Sequence, residues 1–121
     1  MTHTQHTPRA ASPALALTVA GSEATGGAGA QADLKTFQEL GVFGIVSLTC
    51  IVSFDPAADW DHRFFAVPQD VQRAQLEAIL GDYPDALRTV KLGMQGSPET
   101  IRTTAEACAA TRGTTWSWTR C

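Results

Sequence analysis

Strand-like and helix-like segments alternate along this chain, and that alternation limits the folds open to it more than any other feature. Leu15 to Ala20 is an apolar run without polar alternation, closed by Gly21, the pattern of a parallel strand buried on both faces. A glycine-rich loop, Gly21 to Gly29, follows. Ala30, Leu34, Phe37 and Gly41 then recur at helical spacing, which predicts a helix from about Gly29 to Leu40 that Gly41 stops. Val42 to Phe54 is rich in β-branched and aromatic residues, predicting a second strand that Asp55-Pro56 terminates.

A turn at Ala57 to Asp61, a short extended flap from Arg63 to Val67 and a helix over Val71 to Leu80 come next, the helix with Leu76, Ile79 and Leu80 on its apolar side. Arg88 to Leu92 reads as another short strand. In Ser97-Pro98-Glu99 a hydroxyl cap, a proline suited to the first turn and an acid at the positive dipole end open a last helix, running to about Thr111. Alternation of this kind predicts an α/β fold, a parallel Rossmann-like sheet flanked by helices with a small flap.

A length of 121 residues allows one domain at most, and 44% hydrophobic with 17% charged residues fits a soluble globular chain. The net charge of −3 offers no clustered Lys and Arg for nucleic acid, so none is expected as a partner. Both long apolar runs, Pro13 to Ala20 and Gly41 to Phe54, fall short of the roughly 20 residues that span a bilayer, so no membrane association is expected. Residues 1–13 lack the basic-then-apolar layout of a secretory signal and read as a disordered tail on a cytoplasmic protein. Cys50, Cys108 and Cys121 are widely spaced and form no C-x-x-C pair, which suits a reducing compartment, with the first two read as buried apolar thiols. His3, His6 and His62 show no ligand-like spacing, and no metal site is expected.

Ligands of open α/β sheets bind beyond the C-terminal ends of the strands, where the loops starting at Gly21 and Gly93 would meet. Gly26-Gly27-Ala28-Gly29 either presents backbone N–H groups to an anion or merely permits a tight turn. It matches neither a P-loop nor a dinucleotide fingerprint. Asp33, near a helix start, either meets a ligand hydroxyl or solubilises the surface, and Lys91 either reaches a phosphate or snorkels out of the sheet.

The stretch Ala16-Leu-Thr-Val-Ala-Gly-Ser-Glu-Ala-Thr-Gly-Gly-Ala-Gly-Ala-Gln-Ala-Asp-Leu-Lys-Thr-Phe37 closely resembles the opening of the hydroxymethylpyrimidine/phosphomethylpyrimidine kinase and pyridoxal kinase family of the ribokinase superfamily. Leu48 to Val52, Phe54-Asp55-Pro56, Trp60, His62 and Phe65 resemble the version in Gram-positive-type pyridoxal kinases, where the thiamine-pathway enzymes more often carry Ala-Gln-Asn-Thr. Lys91 to Ser97 with Glu99-Thr100-Ile101 is similar to the family's third block, so the likeness covers about residues 14–113.

The resemblance implies the N-terminal portion of a ribokinase-like domain whose family phosphorylates the hydroxymethyl group of a small planar heteroaromatic alcohol with ATP and Mg2+. By position it implies that Gly21 and Asp33 line the substrate pocket, Asp33 hydrogen-bonding a polar ring substituent, that the backbone of Val52 holds the ring edge, and that Met94 packs on the ring face. Phe54 stands where the thiamine branch has a Gln that contacts pyrimidine, which tilts the implied substrate toward pyridoxal or pyridoxine. A homodimer is compatible with the same likeness. Phosphoryl transfer needs an anion hole, an activating group and nucleotide contacts, which the family carries in its C-terminal half, so no catalytic residue is expected in this chain.

Where the family continues into an apolar strand ending in Asp-Pro, this sequence reads Thr115-Trp-Ser-Trp-Thr-Arg-Cys121. Because Trp has one codon, sliding the reading frame one base upstream gives a set that includes Val-Val-Val-Asp-Pro-Val. Residues 114–121 are therefore expected to be the frameshifted end of a longer kinase sequence.

Overall fold

A computed structural model describes residues 11–111 and the backbone of 115–118. In chain order the elements are β1 (Leu15–Glu23), α1 (Gly29–Glu39), β2 (Phe43–Asp55), β3 (Asp61–Ala66), α2 (Gln69–Asp82), β4 (Leu87–Leu92), α3 (Pro98–Ala109) and β5 (Thr115–Trp118). The sheet runs β3-β2-β1-β4-β5. β1 lies parallel to both β2 and β4, and β5 is parallel to β4. The chain passes from β1 through α1 to β2 on one side, and later through α2 to β4 on the other side of β1. Such a reversal of strand order opens a crevice at the carboxyl ends of the central strands.

The expected flap joins the sheet as an edge strand, β3 pairing antiparallel with β2 from Cys50 opposite Ala66 to Asp55 opposite Asp61. The cause is local. Asp55 accepts a hydrogen bond from the N–H of Ala57 at 3.0 Å, and Asp59 and Trp60 both take left-handed backbone angles (φ 53° and 62°). The chain thus turns back within a few residues, whereas a parallel return would need a crossover of a dozen or more. β1 also runs three residues past the expected Ala20, with a register shift between Ala20 and Ser22 against β2. Bulges of this kind are common beside functional sites, where they re-aim the following residues.

The two faces of the sheet are covered differently. Leu17, Val19, Val90 and Leu92 pack with Leu76 and Ile79 of α2 in the main core. Full burial of such side chains contributes about 1.5–3 kcal/mol each. Between α2 and α3, Ala107 packs against the same core, and polar contacts join it. Gln72, wholly buried, donates to the Thr104 hydroxyl at 3.1 Å, and Gln69 bonds the hydroxyls of Thr100 and Thr103, both at 2.9 Å. α3 opens as the sequence predicts, Ser97 Oγ accepting from the N–H of Thr100 at 3.1 Å.

On the opposite face α1 lies close to the sheet, because a Cβ on Gly44 would stand 2.6 Å from Leu34 Cδ2 and 2.8 Å from Phe37 Cδ2. Cys50 is buried, while Cys108 is half-buried and its desolvation pushes the thiol pKa up to about 11. No helix among the described residues is long and apolar enough to cross a membrane. The readings of a disordered tail and of a frameshifted end fall outside the described residues, apart from residues 11–13 and the backbone of β5.

Candidate functional site

A cleft of about 280 Å³ lies at the carboxyl ends of β1, β2 and β4. Ala20 to Glu23 form its floor and one rim, Ala28 and Gly29 open α1 beside it, Val52, Phe54 and the flap's His62 make a second wall, and Lys91 and Met94 a third. Its size falls just under the range of drug-sized clefts, about 300–1,000 Å³, and suits a single ring.

The rim is tightly determined by glycine. At Gly21 a Cβ would stand 2.6 Å from Cys50 Sγ, and at Gly29 (φ 64°) it would stand 2.4 Å from the Gly21 carbonyl oxygen. Neither position has room for a side chain, so the backbone itself forms that wall.

Glu23 decides between the two readings of the glycine-rich loop. Its carboxylate accepts from the N–H and the hydroxyl of Thr25, each at 2.6 Å, and from the N–H of Gly27 at 3.1 Å. Those bonds, led by the Thr25 hydroxyl, hold its pKa below the ordinary 4.5 against the opposing effect of burial. The loop does bind an anion, but that anion is the chain's own. A phosphate approaching these amides would find them engaged and a carboxylate already in place.

Four of the five residues expected to form the pocket, Gly21, Val52, Phe54 and Met94, line this cleft. The Val52 carbonyl accepts from the N–H of Ala24 at 3.1 Å, so part of its backbone is committed to the rim. Met94 is fixed from below, its carbonyl accepting from the Thr49 hydroxyl at 2.7 Å. Its neighbour Gln95 bonds the Val19 and Gly93 carbonyls through Nε2 (3.1 and 3.2 Å) and accepts from the Thr104 hydroxyl at 2.9 Å. The polar layer between α2 and α3 thereby reaches the cleft.

Asp33, the fifth, stands one layer back. Its Oδ2 accepts from the Thr18 hydroxyl at 2.6 Å and from Lys91 Nζ at 2.7 Å, and it is Lys91 that lines the cleft. Sequence reasoning did not single out Glu23, His62 or Thr18 as site residues. For Glu23 a signal was present, since an acid placed two residues before Thr25 and four before Gly27 can close on its own loop.

The ATP and Mg2+ implied by the resemblance belong to the full-length family enzyme. No group of three or more His, Cys, Asp and Glu among the described residues is placed to hold a metal ion, and the loop amides serve Glu23.

A crevice at the strand-order reversal of an open α/β sheet, lined mostly by apolar side chains with a few converging polar groups, defines the class, a Rossmann-like domain shaped to hold a small molecule. Comparison with known proteins narrows it. The phosphomethylpyrimidine kinase family matches residues 23–115. The pyridoxine kinase of Bacillus subtilis is 53% identical over 75 residues, covering 61% of this chain and 28% of that protein. A hydroxymethylpyrimidine/phosphomethylpyrimidine kinase of Haemophilus influenzae is 42% identical over 93 residues, 77% of this chain and 33% of that protein. The solved structure of the pyridoxal kinase from Staphylococcus aureus in complex with AMP-PCP and pyridoxal matches with a TM-score of 0.80 at 41% identity, covering 89% of this chain and 39% of that one. The chain belongs to the phosphomethylpyrimidine kinase family, as its opening motif implies, and spans about a third of the length of the curated relatives it matches.

Proposed function

We propose that this chain supplies the substrate-binding part of an ATP-dependent kinase that phosphorylates the hydroxymethyl group of pyridoxal or pyridoxine, and that the 121-residue chain alone binds the ring without transferring phosphate. The observation that carries the reading is the cleft, ring-sized and walled by Ala20, Val52, Phe54 and Met94 where the strand order reverses. The pyridoxine kinase name of the Bacillus subtilis relative and the pyridoxal in the Staphylococcus aureus complex favour the same substrate class. Phosphoryl transfer requires groups that neutralise the transferring phosphoryl, and in the glycine-rich loop the amides of Thr25 and Gly27 are taken by Glu23.

Hydroxymethylpyrimidine is the second reading, favoured by the Haemophilus influenzae relative. Phe54 argues against it, because an apolar ring in the cleft wall offers a pyrimidine no amide hydrogen bond. A non-catalytic ring-binding remnant is the reading of another class. Titration calorimetry of the purified chain with pyridoxine and with hydroxymethylpyrimidine separates the two rings, an ATP-turnover assay tests the chain alone, and phosphorylation by a reconstructed full-length protein separates a kinase part from a ring-binding remnant. Pyridoxine binding without turnover is expected. Turnover by the chain alone would overturn the division of labour, and a folded chain that binds neither ring would overturn the assignment of the cleft.

A further inference from the structure

Of the described residues lining the cleft, Lys91 alone carries a fixed positive charge. Its placement is tertiary in origin. Lys91 faces Thr18 across the β4–β1 register, and Asp33 descends from α1 onto the pair, one carboxylate oxygen accepting from both side chains. The Lys91 and Asp33 side chains are only 20% and 18% exposed. Nζ stands 3.0 Å from the position a Gly93 Cβ would take, itself 2.8 Å from the Cβ of Ala20 in the cleft floor. An ammonium has three donors, and Asp33 is the one partner found for it among the described residues. A partly desolvated cation with free donors beside an apolar slot is matched best by a negatively charged acceptor on the slot's occupant.

The occupant's anion is not a phosphate. A phosphate needs several donors, the loop amides are held by Glu23, and the Glu23 carboxylate stands in the same wall. A single oxygen on a ring edge needs only the ammonium. We infer that Lys91 is a specificity-determining residue that pairs with an ionised ring hydroxyl, Asp33 acting as the residue that positions it. The inference rests on the cleft being a ring slot and adds which ring it selects. A hydroxypyridine presents an ionisable oxygen to Lys91, whereas an aminopyrimidine presents only neutral groups, an N–H donor and weaker ring-nitrogen acceptors.

The test begins on the ligand side with the unaltered 121-residue chain. Pyridoxine should bind about 10- to 100-fold more tightly than the same pyridine with hydrogen in place of the ring hydroxyl, the range expected of a charge-assisted hydrogen bond. The near-ultraviolet absorbance of bound pyridoxine should show its hydroxyl ionising at lower pH than in free solution. Lys91→Met should abolish both the preference and the absorbance shift, and Lys91→Arg should restore the shift, with circular dichroism confirming that each variant folds. Equal binding of the two pyridines to the unaltered chain would overturn the role of Lys91 while leaving the ring slot intact. An absorbance shift that survives in a folded Lys91→Met chain would do the same. A folded chain that binds neither pyridine would instead remove the ring slot itself, and the role of Lys91 with it.

Discussion

Along the β1–α1 rim of the cleft the backbone has almost no freedom, whereas across from it all six residues of the flap strand β3 are exposed. The rim is fixed by close approach, with Gly29 against the Gly21 carbonyl, Gly21 against Cys50, and Glu23 drawing in the amides of its own loop. The flap relies on its ladder with β2, on the ion pair between Arg63 and Asp55, and on Phe64, whose Cζ lies 2.7 Å from where a Cβ on Gly96 would stand. Exposed ion pairs contribute little, so the flap is the weaker wall. The contrast suggests a division in which the rim sets the shape of the slot and the flap covers it.

The sharpest way to break that contrast is Gly29→Ala. A left-handed φ for alanine costs roughly 1–2 kcal/mol, and forcing an atom into a packed space adds about 1–3. Urea unfolding should register a loss of about 2–5 kcal/mol together with loss of ring binding. A tolerated alanine would mean that the rim is not rigid.

Glu23→Gln should have a smaller effect, and one that depends on pH. The folded-state pKa of Glu23 lies below 4.5, so its contribution is complete above that pH and is lost as pH falls through the folded value. The wild type should therefore exceed the variant in stability at neutral pH, and the gap should close in acid. Unfolding midpoints at pH 7 and below pH 4.5 measure it, and a gap that persists in acid would show that the carboxylate's charge does not hold the loop.

Phe65→Ser on the flap should change least. Phe65 is 59% exposed, and its loss should shift stability by no more than about 0.5 kcal/mol in thermal unfolding, with ring binding intact. A large shift would show that the flap helps hold the fold, and the two walls would no longer differ in kind.

Most of the fold was legible because its signals are local. The apolar run at Leu15, the periodic face of Ala30, Leu34 and Phe37, and the Ser97-Pro98-Glu99 opening each specify an element from neighbouring residues. The family motif likewise identified four residues that line the cleft. Burial of Gln72 and Thr104 was not legible, because a polar side chain enters a core only when its partner arrives from another helix. The flap was legible as a short extended segment, but its antiparallel pairing with β2 was not, because its sense depends on the left-handed angles at Asp59 and Trp60.

By itself, then, the sequence determined the order and kind of the elements, the family, and the glycines that line the rim, since spacing and backbone permissiveness are properties of a short stretch of chain. Only the tertiary structure decided that Asp33 meets Lys91 across 58 residues, that Met94 is held by Thr49 across 45, and that the central reversal of strand order brings Lys91 and Met94 to one cleft. Contacts at that separation exist only once β4 has docked beside β1, and no local pattern records where a distant strand will pair.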